Sequence, residues 1–272
     1  MKVALTGANG FVATKLKNIF PNYTSINRND TEDQIIEKLS NVDIVINLAG
    51  APIIKKWTKE YKKILFSSRI DTTKKLVRAI NKSKIKHFIS TSAIGIYPND
   101  ISCDESYKKF DDDFLSKLTQ KWEDEANKAN VKTTILRFGI VLGSDGGALK
   151  QMLLPFKIGL GGIIGNGKMK MSFIDIDDLM NIYKFIIDKN LEGVFNVCSP
   201  YPVSNYEFTK TLGNVLNRPT LFPLPEFVLK IMYGDAATVI TGSKEIYPKE
   251  LEKEGFSFDY PTIKSSLEHL LK

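Results

Sequence analysis

A chain of 272 residues, 43% hydrophobic and 25% charged, has the composition of an ordinary globular protein and can bury one large core, or a large core with a smaller one attached. Its net charge of +7 is spread over scattered lysine pairs such as Lys55-Lys56 and Lys108-Lys109 with only five arginines, which fits a solvated surface mildly favouring anionic ligands and gives no ground for a nucleic-acid partner. No apolar run approaches the ~20 residues that cross a bilayer, no secretory leader precedes the first strand, and Cys103 and Cys198 lack metal-ligand spacing, so no membrane partner and a reduced cytoplasmic setting are expected.

In chain order, residues 2–6 read as a buried strand, residues 7–10 as a glycine turn, and residues 11–19 as an apolar-periodic helix. Residues 23–27 suit a second strand. Residues 31–39 suit a helix capped by Thr31, with Glu32 and Asp33 in its first turn. The apolar stretch 42–48 predicts a strand covered on both faces, and a lysine-rich helix follows over 58–81. Strand 87–91, helix 113–129 and strand 133–137 continue the alternation, which predicts a Rossmann-type α/β fold with a doubly wound parallel sheet. After about residue 150 the pattern becomes irregular. The expected organisation is a dinucleotide-binding domain over 1–150, with a strand near 171–176 returning to it. Residues 151–272 then form a smaller α/β region covering the substrate.

The stretch TGANGFVA, from Thr6 through Gly7, Ala8, Asn9, Gly10, Phe11 and Val12 to Ala13, sits between the first strand and the first helix. Gly7 permits the tight turn, and Gly10 lets the backbone approach a pyrophosphate. The helix N-terminus aims its N–H groups and positive dipole end at that phosphate. At the end of the second strand stand Asn27 and Arg28, with no acid before Asp30. NAD sites place an acid here for the ribose hydroxyl, whereas Arg28 could pair with a 2′-phosphate or be an exposed loop arginine. The stretch favours NADP, with NAD as second choice.

These motifs resemble the extended short-chain dehydrogenase/reductase superfamily of NAD-dependent epimerases and dehydratases. TGANGFVA is similar to its phosphate turn, NLAGA with Leu48, Ala49 and Gly50 to its strand-four end, FISTSAIGIY to its catalytic-serine strand, and LRFGIVLG with Gly139 to its strand-six segment. More narrowly, INLAGAPI, SSRIDTT, SFIDIDDL and YPKELEKEGFSF resemble a subgroup named epimerase family proteins, which carries a C-terminal domain of unknown function. The resemblance implies that Leu48, Ala49, Gly50, Ser90, Thr91 and Gly139 touch the cofactor and that Ser92 touches substrate.

It also implies a Tyr-x-x-x-Lys pair opening the helix near 113–123, with tyrosine as acid/base. That helix instead carries Leu115 and Thr119 at about those positions. The strings Tyr206 to Lys210 and Tyr260 to Lys264 lie outside the helix. Tyr97 could substitute as the acid or pack under a loop. Arg69 could meet a substrate anion or cap packed helices. Asp177 is read as a helix cap rather than as part of a metal site with Asp175 and Asp178. The glycine-rich stretch 143–168 could be a mobile lid or a plain connection.

The resulting expectation is an NADP(H)-dependent epimerase or oxidoreductase acting on a small polar substrate such as a nucleotide sugar, as monomer or homodimer. The alternative is a catalytically silent dinucleotide-binding sensor or assembly protein.

Overall fold

The computed structural model describes residues 1–272. Its first half alternates strand and helix: β1 (Val3–Thr6), α1 (Phe11–Ile19), β2 (Thr24–Ile26), α2 (Glu32–Leu39), β3 (Ile44–Asn47), α3 (Lys59–Phe66), α4 (Thr72–Asn81), β4 (His87–Ala93), the short β5 (Ser102–Cys103), α5 (Phe114–Ala126) and β6 (Lys132–Phe138). The second half is less regular: β7 (Ile140–Leu142), α6 (Gly147–Lys157), β8 (Lys170–Met171), β9 (Phe173–Asp175), α7 (Ile176–Asp188), β10 (Gly193–Val197), β11 (Val203–Ser204), α8 (Asn205–Leu216), α9 (Glu226–Tyr233), α10 (Thr238–Thr241), β12 (Glu245–Ile246), α11 (Lys249–Lys253) and α12 (Ile263–Leu271).

Six strands form one parallel sheet in the order β10-β6-β4-β3-β1-β2. Every residue of β1 and β3 is buried because helices cover both faces, so these strands need no polar alternation. Alternate side chains feed two cores. Val3, Leu5, Ile44, Ile46 and Ile89 pack on Leu179, Ile182 and Tyr183 of α7. Ala4, Val45, Phe88 and Ile135 pack on Ile35 of α2 and on Leu76 and Ile80 of α4. Helix starts are set locally: Thr31 closes a capping box with Gln34, Thr58 accepts from Tyr61 N, and Asp113 accepts from Ser116 N. Each such cap contributes roughly 1 kcal/mol.

The structure departs from two expectations. The strand that returns from the second half is β10, which lies along β6 with Val194 beside Ile135. The 171–176 stretch pairs elsewhere, with Phe173 of β9 beside Ile140 of β7. Gly139 is the reason: its N–H bonds Val197 O, and a Cβ there would come within 2.7 Å of Ser172 O, so the chain leaves the sheet at this close crossing. The glycine-rich stretch 143–168 is also not one loop, since α6 occupies Gly147–Lys157. The helix expected over 58–81 is continuous but carries a π-turn at Ser67–Asp71 between α3 and α4. Such bulges are frequent at functional sites.

A third cluster, with Leu149, Phe173, Phe208 and Leu267 at its centre, joins α6, β9, α8 and α12. Strand order reverses between β1 and β3, and a crevice opens outside the carboxyl ends of the strands there.

Candidate functional site

A cavity of about 370 Å³ fills that crevice, lined by the glycine turn, the ends of β2 and β3, and one face of α4. Gly7 has φ +63°, and a Cβ on it would stand 2.7 Å from Leu48 O, so only glycine fits. Gly10 opens α1 with no side-chain cap and no acid in the first turn, which leaves the helix-end N–H groups and dipole to an anion. Ala13 is buried, as a third small position requires. Phe11 turns away from the cavity. Its ring fills the space left by Gly143, Gly146 and Gly147, while Lys15 pairs with Asp145 at 2.8 Å, so residues 143–147 sit against the turn. Val12 packs toward the core.

Thr6 ties the strand ends together. Its Oγ1 donates to Asn47 Oδ1 at 2.7 Å and accepts from the N–H groups of Leu48 and Ala49. Asn47 Nδ2 continues to Thr73 Oγ1 at 2.8 Å and Ser90 Oγ at 3.3 Å. Trp122 Nε1 also donates to Thr73 Oγ1, at 3.0 Å. Ser90 is therefore wholly buried in the frame beneath the cavity, and the cavity is lined by Leu48, Ala49 and Gly50 instead. Thr91 lies on the opposite face of β4, 3.5 Å from Tyr183 OH.

At the end of β2, Asn27 and Arg28 line the cavity together with Lys75 of α4. Lys75 Nζ donates to the carbonyls of Arg28 at 2.9 Å and Asp30 at 2.6 Å. Asp30 is the one nearby acid, and it is turned off the cavity: its carboxylate accepts from Asn27 N at 2.7 Å and pairs with Lys38 at 2.5 Å. The local charge beside the β2 end is thus cationic. Sequence reasoning missed Lys75 because it lies 47 residues from Arg28, in a stretch rich in similar lysines.

Ser92 and Tyr97 lie apart from this cavity. Ser92 is 2% exposed, and its Oγ donates to Glu123 Oε1. Glu123 holds Arg137 in a bidentate pair, Nε to Oε1 at 2.8 Å and NH2 to Oε2 at 2.7 Å. Arg137 NH1 donates to Tyr97 OH at 2.7 Å, and that hydroxyl donates to Asn196 Oδ1 at 2.9 Å. Tyr97 is fully buried, and burial pushes its phenol up to about 12, so packing rather than proton transfer is its visible role. On α5, Leu115 faces Gly95, and Thr119 Oγ1 is occupied by Leu115 O at 2.8 Å. Tyr206 is exposed at the start of α8, and Tyr260 stacks on His269.

The cap of α7 is Asp175, not Asp177. Asp175 accepts from Asp177 N at 2.9 Å and from Ser266 Oγ at 2.6 Å, because the strand ends at Asp175 and the helix starts at Ile176. Asp177 contacts His269 at 2.8 Å, and Asp178 accepts the N–H groups of Asp259 and Tyr260.

The sequence profile of the NAD dependent epimerase/dehydratase family matches residues 13–198, and that of a domain of unknown function, DUF1731, matches residues 224–270. An epimerase family protein of Staphylococcus haemolyticus is 32% identical over 98% of each chain. The human epimerase family protein SDR39U1, crystallised with NADPH, superposes with a TM-score of 0.91 at 29% identity, covering 100% of this chain and 99% of its own. A nucleoside-diphosphate sugar epimerase of Corynebacterium glutamicum superposes at 0.78 with 26% identity, covering 100% of this chain and 58% of its own. No helix is long and apolar enough to cross a membrane.

Proposed function

This chain belongs to the NAD-dependent epimerase/dehydratase family, and on that premise we propose that it binds NADP(H) in the cavity at β1, β2 and β3 and exchanges hydride with a small polar substrate. The nicotinamide supplies the hydride chemistry, and the chain supplies binding and orientation. In this reading the free N–H groups of α1 take the pyrophosphate, Gly7 and Gly10 give it room, and Leu48, Ala49 and Gly50 form the wall. Residues 1–150 with β10 carry the cofactor, and the later elements cover the substrate.

The observation that carries the choice of NADP is that Arg28 and Lys75 both line the cavity rim, Lys75 Nζ being held by the Arg28 carbonyl, while Asp30 is held away by Lys38 and Asn27 N. Two cations suit a 2′-phosphate, and a free carboxylate there would repel it. A nucleotide sugar is the finer substrate reading, supported by the named activity of the Corynebacterium relative. At the α5 positions where the resemblance implies a tyrosine acid/base and its lysine, leucine and threonine stand instead.

Titration of the protein with NADPH and NADH, repeated on Arg28→Ala, tests the cofactor reading. NADPH is expected to bind more tightly, and the variant to lose about tenfold in NADPH affinity with NADH little changed. Equal affinity for the two nucleotides in wild type would overturn it. A second reading, binding without turnover, is favoured by Leu115 and Thr119 together with the burial of Ser92 and Tyr97. Oxidation of bound NADPH by a keto nucleotide sugar, or reduction of bound NADP by a nucleotide sugar, would exclude that second reading.

A further inference from the structure

Two arginines are withdrawn from water in this molecule, Arg137 wholly and Arg69 in part, and only Arg137 is answered by a carboxylate. Arg137 is held by both oxygens of Glu123. Arg69, on the π-turn, has no acid partner. Its NH2 donates to Ala51 O at 3.0 Å, and its NH1 reaches Leu65 O at 3.5 Å. The guanidinium lies over the Trp122 ring, 5.3 Å from its centroid. It also lies flat against Gly50, where a Cβ would approach Cζ to 3.1 Å.

A half-buried cation with no acid beside it is costly, and its loss of water lowers the Arg69 pKa to about 10 against the opposing pull of Tyr61. A ring face and two carbonyls offset only part of that cost. A neutral glutamine could cap the same carbonyls without it, so the loop by itself does not explain an arginine. Three further features point toward the crevice. Gly50, which the guanidinium touches, lines the nucleotide cavity, as do Ala51 and Ser68, so Arg69 stands directly behind this wall rather than on it. Nε has no acceptor, yet it is not sealed from solvent. The π-turn that presents Arg69 is itself held at this loop, Ser68 Oγ accepting the N–H of Ala51 at 3.0 Å.

We propose that Arg69 receives an anionic oxygen group, a phosphate or a carboxylate, of a ligand seated against Gly50. The proposal rests on the reading of this cavity as a dinucleotide site. The anion comes either from the cofactor pyrophosphate or from a second ligand beside it.

Arg69→Met keeps an apolar stem on Trp122 and removes the charge, whereas Arg69→Lys keeps the charge without the planar fork. Wild type and both variants would be titrated with NADPH, and with inorganic phosphate in the free and NADP-loaded forms, alongside thermal melts. A loss of about tenfold or more in NADPH affinity for Arg69→Met, with melting temperature kept or raised, assigns the anion to the cofactor. Unchanged NADPH affinity with phosphate binding to the loaded protein abolished assigns it to a second ligand. Affinities unchanged for both probes overturn the proposal, whether or not the melting temperature falls. If the methionine variant does not fold, Arg69→Lys decides by the same two affinities. Wild type that fails to bind NADPH would sink the dinucleotide reading alone, since phosphate binding lost in Arg69→Met would still support Arg69.

Discussion

Ser92 shows how one step of the β-pleat decides a residue's role. Along β4 successive side chains point to opposite faces, so Ser90 and Ser92 turn toward Asn47 and Glu123 while Thr91 turns toward Tyr183. Serine at the end of a strand beside a crevice is legible in the sequence. The buried Glu123–Arg137 pair that takes up its hydroxyl is not, because the partners stand 14 residues apart with nothing local to link them. Side chains of that pair are only 9% and 3% exposed. Removing one member strands the other charge, so Glu123→Ala is expected to lose about 3–5 kcal/mol in urea unfolding. Ser92→Ala should cost about 1 kcal/mol in the same assay and leave NADPH affinity intact. A large affinity loss in that variant would return Ser92 to the site.

At the scale of elements, the phosphate turn is the part most fully written in local sequence. A strand, two glycines and an uncapped helix produce an anion receptor with no help from distant residues. Gly7→Ala should therefore break it. The added Cβ meets Leu48 O in a left-handed conformation, costing about 1–3 kcal/mol of strain or shifting the turn. A drop of at least about tenfold in NADPH affinity is expected, measured by titration next to a melting curve. The π-turn that presents Arg69 could not be read from the sequence, since its residues keep helical periodicity and only the packing against residues 50–51 reveals the bulge. Lys75 was equally hidden, one lysine of a run until α4 lays it beside the β2 end.

Over the whole molecule, two buried groups set opposing responses to acid. Burial holds His87 down to about 4, next to Thr134 Oγ1, and pushes Asp178 up to about 6 despite its two backbone donors. His87 therefore contributes stability that is complete above pH ~6.5 and lost as pH falls toward ~4. Asp178 works the other way, its neutral form being favoured in the fold, so its contribution is complete below pH ~4 and lost as pH rises through ~6. The two slopes oppose each other between about pH 4 and 6. Asp178→Asn removes one of them, so its unfolding free energy should fall on acidification more steeply than that of wild type, by roughly 2–3 kcal/mol across the window. Parallel profiles for the two proteins in urea titrations at pH 4.5 and 7 would refute this assignment.

Sequence alone determined what depends on neighbours along the chain: the alternation of strands and helices, the cap at Thr31, the glycine turn, and the absence of tyrosine from α5. These follow from periodicity, backbone freedom and short-range hydrogen bonds, which need no knowledge of the fold. Tertiary structure decided everything that depends on which face or which distant partner a residue meets. It placed β10 rather than β9 on the sheet, buried Ser92 and Tyr97 under Arg137, joined Lys75 to Arg28, and left Arg69 as an unanswered cation against Gly50. Strand order and side-chain direction are set by how two hydrophobic cores close on opposite faces of one sheet, a constraint that no local window of sequence contains.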